Sequence, residues 1–206
     1  MKLRRSPYPT IALALLSAGP LSALAQDSHS NMSTSQSELS PDQKSKASVL
    51  LKKVRDATAR FQNVEVAKGS GYELLFGCVS ADTTGAMGLH YVNMNLLTSV
   101  NQSGVFYVER PQIVIYEPTA DGHLRLTGAD YLVYADAWDK IHPNDPPQLM
   151  GQLFHLFDAP NRFGLPAFYS LHAWAWKDNP NGAFVNWHPN VSCESFTGRD
   201  DSDSRR

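Results

Sequence analysis

The chain has 206 residues, of which 42% are hydrophobic, 10% aromatic and 18% charged, and its formal net charge is −2. A chain of this length and composition can bury a core of its own, which excludes global disorder. No apolar run reaches the roughly 18 residues of a membrane-spanning helix, which argues against an integral membrane protein.

The first 25 residues have the pattern of a secretory signal peptide. Lys2, Arg4 and Arg5 precede a mostly apolar stretch over residues 11–24, and Ala23 and Ala25 are the small residues that signal peptidases recognise. We therefore predict a signal peptide over residues 1–25 and a secreted or periplasmic protein. Polar composition predicts a disordered lead over residues 26–39 and a disordered tail over residues 197–206.

An amphipathic helix is predicted to begin at the end of this lead. Ser40-Pro41-Asp42-Gln43 combines an N-cap, a proline at the first helical position and the glutamine of a capping box. Apolar residues then recur every three or four positions from Ala47 to Phe61. The apolar stripe lacks tryptophan, so we expect this helix to pack on a sheet rather than lie on a membrane.

The chain after Lys68 predicts strands separated by turns. The candidate strands are residues 72–79, 88–94, 112–117, 123–134, 149–157, 167–176 and 184–187, with a short helix near residues 135–140. No helical pattern separates most of them, so the sheet should be mainly antiparallel. We expect a single α+β domain over residues 40–196, with one N-terminal helix packed on a curved sheet of about six strands, in a cystatin-like or half-open barrel arrangement.

Cys78 and Cys193 are the only cysteines in the chain. Outside the cell an isolated pair is expected to form a disulfide, which here would join an early strand to the C-terminal segment. The alternative is that one cysteine is a metal ligand or a nucleophile.

Charge argues against nucleic acid as a partner. Removal of the predicted signal peptide takes away three cations and no anions, which lowers the net charge from −2 to −5. From Ser70 to Phe196, five lysine and arginine residues stand against twelve aspartate and glutamate residues. Binding to a phosphate backbone needs a basic surface, so we expect a metal ion or a small molecule as partner, and no integral membrane segment after processing.

Histidines inside predicted strands are the main candidates for chemistry, because the common phosphate-loop, zinc-protease and serine-hydrolase motifs are absent. By alternation, His90, His155 and His172 each share a strand face with apolar or aromatic residues. Glu117 shares a face with isoleucines, which is unusual for an acid unless it is paired. We predict that these side chains converge in a partly dry cleft.

A carboxylate with two or three neutral imidazoles is a typical ligand set for a divalent metal ion. The predicted metal ligands are therefore His90, Glu117, His155 and His172, and the candidate ions are zinc, copper and manganese, with zinc or copper favoured. Met87 and Met94 lie near His90 in the sequence and would favour copper(I). The alternative is a set of separate core histidines, each hydrogen-bonded to a backbone carbonyl or a carboxylate.

Aromatic residues crowd the last third of the chain. Phe168, Trp174 and Trp176 share one face of a predicted strand, and we predict that they form the wall of a ligand pocket. The alternative is that they form the core beneath the N-terminal helix.

Several short stretches resemble a group of uncharacterised secreted bacterial proteins. The stretches are Gly77-Cys78-Val79-Ser80, Gly85 to Asn93, Asn161 to Tyr169, Leu171 to Trp176 and Asn179-Pro180-Asn181-Gly182. The resemblance extends from about Lys44 to Cys193. It implies an exported bacterial protein, and it brings no activity, cofactor or site with it.

The function that these features favour is that of a secreted or periplasmic binding protein, holding a divalent or copper ion or a small ligand in a cleft lined by histidine and aromatic residues. One alternative is a small enzyme in which His172 or His90 acts as general base, oriented by Glu117 or Asp130. Another is a structural or interaction module without a small-molecule site.

Overall fold

A computed structural model describes residues 40–198 of the chain. The predicted signal peptide (residues 1–25), the predicted lead (residues 26–39) and residues 199–206 of the predicted tail lie outside the described residues. Among the described residues, no helix combines the length and the apolar composition needed to cross a membrane.

The first helix, α1, spans Pro41–Thr58 and begins as predicted. The Oγ of Ser40 accepts a hydrogen bond from the Gln43 amide at 3.2 Å, and the Oε1 of Gln43 accepts one from the Ser40 amide at 2.9 Å. This capping box satisfies two amides that the first helical turn leaves unpaired. A short 3-10 helix, Ala59–Gln62, and a second helix α2, Val64–Gly69, follow.

Six strands form a strongly curled antiparallel half-barrel in the order β1-β2-β3-β4-β8-β7. They are β1 (Glu73–Ala81), β2 (Gly85–Val92), β3 (Ile113–Pro118), β4 (Leu124–Tyr134), β7 (His155–Phe157) and β8 (Phe168–Ala173). A separate two-stranded ribbon joins β5 (Gln148–Leu149) to β6 (Gln152–Leu153). The predicted fold class, a helix packed on a curved, mainly antiparallel sheet of six strands, is confirmed.

Two further helices interrupt the strand-rich part of the chain. Helix α4, Ala135–Ile141, agrees with the predicted short helix. Helix α3, Met94–Ser103, was not predicted, and the expectation of strands and turns there is wrong. Its ends carry local signals, because the Asn93 side chain accepts a hydrogen bond from the Leu96 amide at 3.1 Å and Gly104 ends the helix at φ 63°.

Two predicted strands also differ from the structure. The segment expected as one strand over residues 149–157 is divided among β5, β6 and β7, because Met150 and Gly151 both take positive φ values of 50° and 82° and turn the chain. Residues 184–187 form no strand, and belong to the C-terminal segment that covers the sheet.

The two faces of the sheet have different partners. On one face, Leu50 and Val54 of α1 pack against Tyr131, Leu171 and their neighbours. On the other face the ring of Phe163, which lies in a loop, contacts Phe76 of β1 and Phe157 of β7 with centroids 5.9 and 6.1 Å apart. Because β1 and β7 are the two edge strands, the sheet curls toward this second face.

A disulfide joins Cys78 of β1 to Cys193, with 5.7 Å between the two Cα atoms, as predicted. The C-terminal segment also contacts β2, where Ala86 and His188 exchange backbone hydrogen bonds of 3.2 and 3.1 Å. The segment is therefore fixed to the edge half of the sheet by a covalent bond and a short β-bridge.

Candidate metal site

Three strands bring two imidazoles and one carboxylate together on the face opposite α1. His90 lies on β2, Asp130 on β4 and His172 on β8, and Asp130 and His172 are direct partners across the β4–β8 pair. One ligand atom from each side chain lies within 4.8 Å of the other two, and all three residues are buried. Ligands of a tetrahedral zinc ion with bonds of about 2.1 Å lie about 3.4 Å apart, so the three side chains would move closer together around an ion.

His172 is fully buried, and neither of its ring nitrogens has a hydrogen-bond partner among the described residues. Trp174 stacks on its ring with centroids 4.4 Å apart, and the edge-on ring of His90 lies 6.1 Å away. Burial, followed by the neighbouring histidines, holds the pKa of His172 well below its ordinary value. His172 is therefore a neutral imidazole, in which one ring nitrogen carries a proton and the other has a free lone pair.

His90 is positioned by its own strand. Its Nδ1 lies 3.1 Å from the carbonyl oxygen of Gly88, and since a carbonyl only accepts, Nδ1 carries the proton. Nε2 is therefore the atom available to a metal ion. The bond from Nδ1 to the Gly88 carbonyl is the kind of orienting contact that metal-binding histidines usually make. Burial lowers the pKa of His90 to about 4, and the bond to Gly88 opposes that shift.

Asp130 accepts a hydrogen bond of 2.7 Å from the Oγ of Ser170, which lies on β8. Burial raises the pKa of Asp130 to about 7, and the bonds from Ser170 and from backbone amides act in the opposite direction. A buried carboxylate of this kind gains most from a nearby cation, because a cation favours its charged form.

A small cavity that opens toward the surface is lined by all three side chains of this group. Its walls are mainly apolar, and the aromatic and aliphatic side chains that line it include Phe76, Met87, Leu132, Phe157, Phe163 and Phe168. The polar atoms of the group thus lie at the inner end of an apolar pocket, an arrangement typical of ligand-binding sites.

Two of the predicted ligands, Glu117 and His155, lie outside the group of three. Glu117 is buried at the end of β3, where its Oε2 lies 2.7 Å from the Lys177 ammonium and 3.9 Å from the Arg125 guanidinium. His155 donates from Nε2 to the Phe184 carbonyl at 3.3 Å. The structure accounts for both side chains by these contacts, and Asp130 takes the place expected of Glu117.

The three residues predicted to line a ligand pocket do not lie together, because Phe168 is on β8 whereas Trp174 and Trp176 follow its end. Phe168 lines the cavity. Trp174 packs behind His172 and donates from Nε1 to the Val185 carbonyl at 2.6 Å. Trp176 donates to the Oγ of Thr58 in α1 at 2.9 Å, because strand alternation stops at Ala173 and no longer fixes its direction.

Of the two methionines that favoured copper(I), only Met87 lines the cavity. Met94 begins α3 and is 48% exposed. Phe76 and Phe163 were not predicted from the sequence, and Asp130 was predicted only as a partner of a histidine base. The sequence signal for Asp130 is the strand face that it shares with Leu124, Leu126 and Leu132.

Comparisons of the chain with protein-family models, with curated proteins and with solved structures found no match. The geometry of the site is therefore the basis on which a function can be inferred.

Proposed function

We propose that this protein is an exported binding protein that holds one divalent transition-metal ion at His90, Asp130 and His172. The observation that carries the proposal is the imidazole of His172, whose two ring nitrogens are buried without a partner among the described residues. Leaving a buried polar atom unsatisfied costs about 1–3 kcal/mol, and a metal ion bound to one nitrogen would offset that cost.

The alternative, in which each buried histidine is hydrogen-bonded separately within the core, describes His90 and His188 better than His172. His90 and His188 each donate to a backbone carbonyl, whereas His172 has no such acceptor in the part of the chain that the structure describes. His172 also lies beside a second imidazole and a carboxylate, which is the setting that a metal ion requires.

Zinc and copper(II) suit this ligand set best. Two imidazoles and a carboxylate, without a thiolate or a second thioether, are typical of zinc, and copper(II) also binds imidazole strongly. Three protein ligands leave at least one coordination position open, and the cavity leads to that position.

Export is supported by the disulfide, which persists in oxidising compartments, and by the signal-peptide pattern of residues 1–25. The resemblance to secreted bacterial proteins agrees with this proposal. A periplasmic or extracellular location would also expose the site to metal ions outside the cytosol.

The test is metal binding by the exported protein after treatment with a chelator. We expect zinc to bind at one ion per chain, measured by elemental analysis, and to raise the stability by about 2.7 kcal/mol when free zinc is 100 times the dissociation constant. His172→Ala and the nearly isosteric Asp130→Asn should each weaken binding at least about 100-fold. His123→Ala, which changes an exposed histidine, should bind zinc like the unmodified protein.

Asp130→Asn keeps an acceptor for Ser170, so its loss of zinc binding would not reflect loss of the fold. Unmodified protein that fails to bind zinc or copper, or an Asp130→Asn variant that binds them as tightly, would refute the proposed site.

A further inference from the structure

Four of the side chains that line the cavity are phenylalanine rings in contact with one another, from the buried Phe157 and Phe168 to the half-exposed Phe76. Phe157 and Phe168 stack with centroids 4.7 Å apart and ring planes inclined by 7°. Phe163 meets Phe168 edge-on at 5.9 Å and Phe76 edge-on at the same distance. An additional aromatic ring would be stabilised by edge-to-face and stacked contacts of the same kind.

Phe76 reaches the cavity through an irregularity in β1. The register between β1 and β2 shifts between Leu75 and Cys78, and Phe76 and Gly77 both have positive φ values, 68° and 66°. The left-handed conformation is unfavourable for a phenylalanine, and bulges of this kind commonly redirect a side chain next to a binding site. The ring remains 49% exposed, beside the cavity that it lines.

The charge at the inner end of the cavity determines which ligand fits. A divalent ion bound to one ionised carboxylate and two neutral imidazoles has a net charge of +1 by simple addition. Among the described residues, the other polar side chains that line the cavity are Ser170 and Asn186, which are neutral. An uncompensated charge is costly in an apolar pocket, so a ligand with one negative charge is favoured at the open coordination position.

We propose that the cavity binds a small aromatic carboxylate, with the carboxylate on the open position of the metal ion and the ring among Phe76, Phe163 and Phe168. The inference depends on the proposed metal function and adds the chemical class of its ligand. Both halves of the ligand are needed, because the anion neutralises the metal site and the ring fills the phenylalanine cluster.

The test is isothermal titration of the zinc-loaded protein with three probes. Benzoate has the ring and the charge, acetate has only the charge, and benzamide has the same shape as benzoate without the charge. We expect benzoate to bind at least about 10-fold more tightly than acetate or benzamide, and to bind at least about 10-fold more weakly to the metal-free protein. Equal affinities for benzoate and benzamide, or equal binding with and without zinc, would overturn the proposal.

A matched pair of variants separates the ring site from the metal site. Phe76→Ala removes a half-exposed ring at the mouth, and Leu156→Ala removes a side chain of similar exposure, 43%, on β7 away from the cavity lining. We expect Phe76→Ala to weaken benzoate about 5-fold or more while zinc and acetate affinities stay unchanged, and Leu156→Ala to change none of them.

The two proposals fail in different ways in this experiment. Zinc binding without selective benzoate binding would refute the ligand proposal and leave the metal site intact. Absence of zinc binding would refute the metal site and, with it, the ligand proposal.

Discussion

The six described histidines differ in what their ring nitrogens contact. His90, His142 and His155 each make one hydrogen bond to a backbone carbonyl, and His123 is exposed. His188 uses both nitrogens, since Nε2 donates to the Asp178 carbonyl and Nδ1 accepts from the Asn190 amide, each at 3.0 Å. His172 alone has two buried nitrogens without a partner among these residues, which is why the site is built around it.

The bonds of His188 predict an acid-dependent loss of stability. Burial, first of all, lowers the pKa of His188, and protonation of Nδ1 would break its bond with the Asn190 amide. Below a pH of about 6.5 the unfolded chain therefore binds more protons at this site than the folded chain does, so the free energy of unfolding falls as the pH falls. The slope from one histidine is at most about 1.4 kcal/mol per pH unit.

The measurement is urea unfolding of the metal-free protein and of His188→Gln between pH 7.5 and 5. We expect the variant to be less stable at pH 7.5, because it loses the Asn190 contact, and the gap between the two proteins to narrow as the pH falls. His123→Gln, which changes an exposed imidazole, is the matched control, and its stability is measured at the same pH values. A gap for His188→Gln that stays constant or widens toward pH 5 would contradict this role.

At the scale of elements, the site depends on how closely β4 approaches the end of β8. Gly128 lies on β4, two residues before Asp130, and a Cβ atom placed there would come within 2.2 Å of the Ala173 carbonyl oxygen. That carbonyl belongs to the residue directly after His172, so a side chain at position 128 would push apart the two strands that carry Asp130 and His172, two of the three proposed ligands.

We therefore expect Gly128→Ala to lower the free energy of unfolding by more than about 2 kcal/mol and to weaken zinc binding. Gly69→Ala is the matched control, because a Cβ atom at that position would have nothing within 4 Å and the φ of Gly69 is ordinary. It should be neutral or slightly stabilising, since alanine favours a helix over glycine by up to about 1 kcal/mol. Chemical denaturation and zinc titration of both variants measure these effects, and a Gly128→Ala protein of unmodified stability would contradict the close approach.

Local signals account for the elements that could be predicted. The start of α1 depends on Ser40 and Gln43, and β2 and β4 depend on short, mainly apolar runs that are buried almost throughout, and these signals act over a few positions. Helix α3 has comparable signals in Asn93 and Gly104, so it was predictable in principle. The division of residues 149–157 depends on a turn at Met150 and Gly151, for which Gly151 is a local signal and the positive φ of Met150 has none.

The ligand set was less accessible, because it depends on which strands pair. Alternation correctly assigned His90 and His172 to apolar faces, but only the pairing of β4 with β8 brings Asp130 opposite His172. From the sequence, Glu117 was an equally good candidate ligand. The structure pairs it instead with Lys177, which lies 60 residues later in the chain. Residues that pair over such long separations have no characteristic spacing in the sequence, so these pairings could not be predicted from it.

At the scale of the whole molecule, the C-terminal segment closes the site from one side. Val185 accepts the hydrogen bond of Trp174, Asn186 lines the cavity, and His188 pairs with Ala86 of β2. Cys193 then binds Cys78, two residues after the redirected Phe76. The disulfide thus joins the segment that covers the site to the strand that forms the cavity mouth.

This bond spans 115 residues, so its loss should affect the stability of the whole fold. The loop-entropy model gives about 5 kcal/mol for a closed loop of that size, and we expect a loss of about 3–5 kcal/mol in the double variant Cys78→Ala/Cys193→Ala. Urea unfolding with and without a thiol reductant provides the control, because the reductant should lower the stability of the unmodified protein toward that of the variant and leave the variant unchanged. If the unmodified protein unfolds at the same urea concentration in both conditions while its thiols become reactive, the bond does not stabilise the fold.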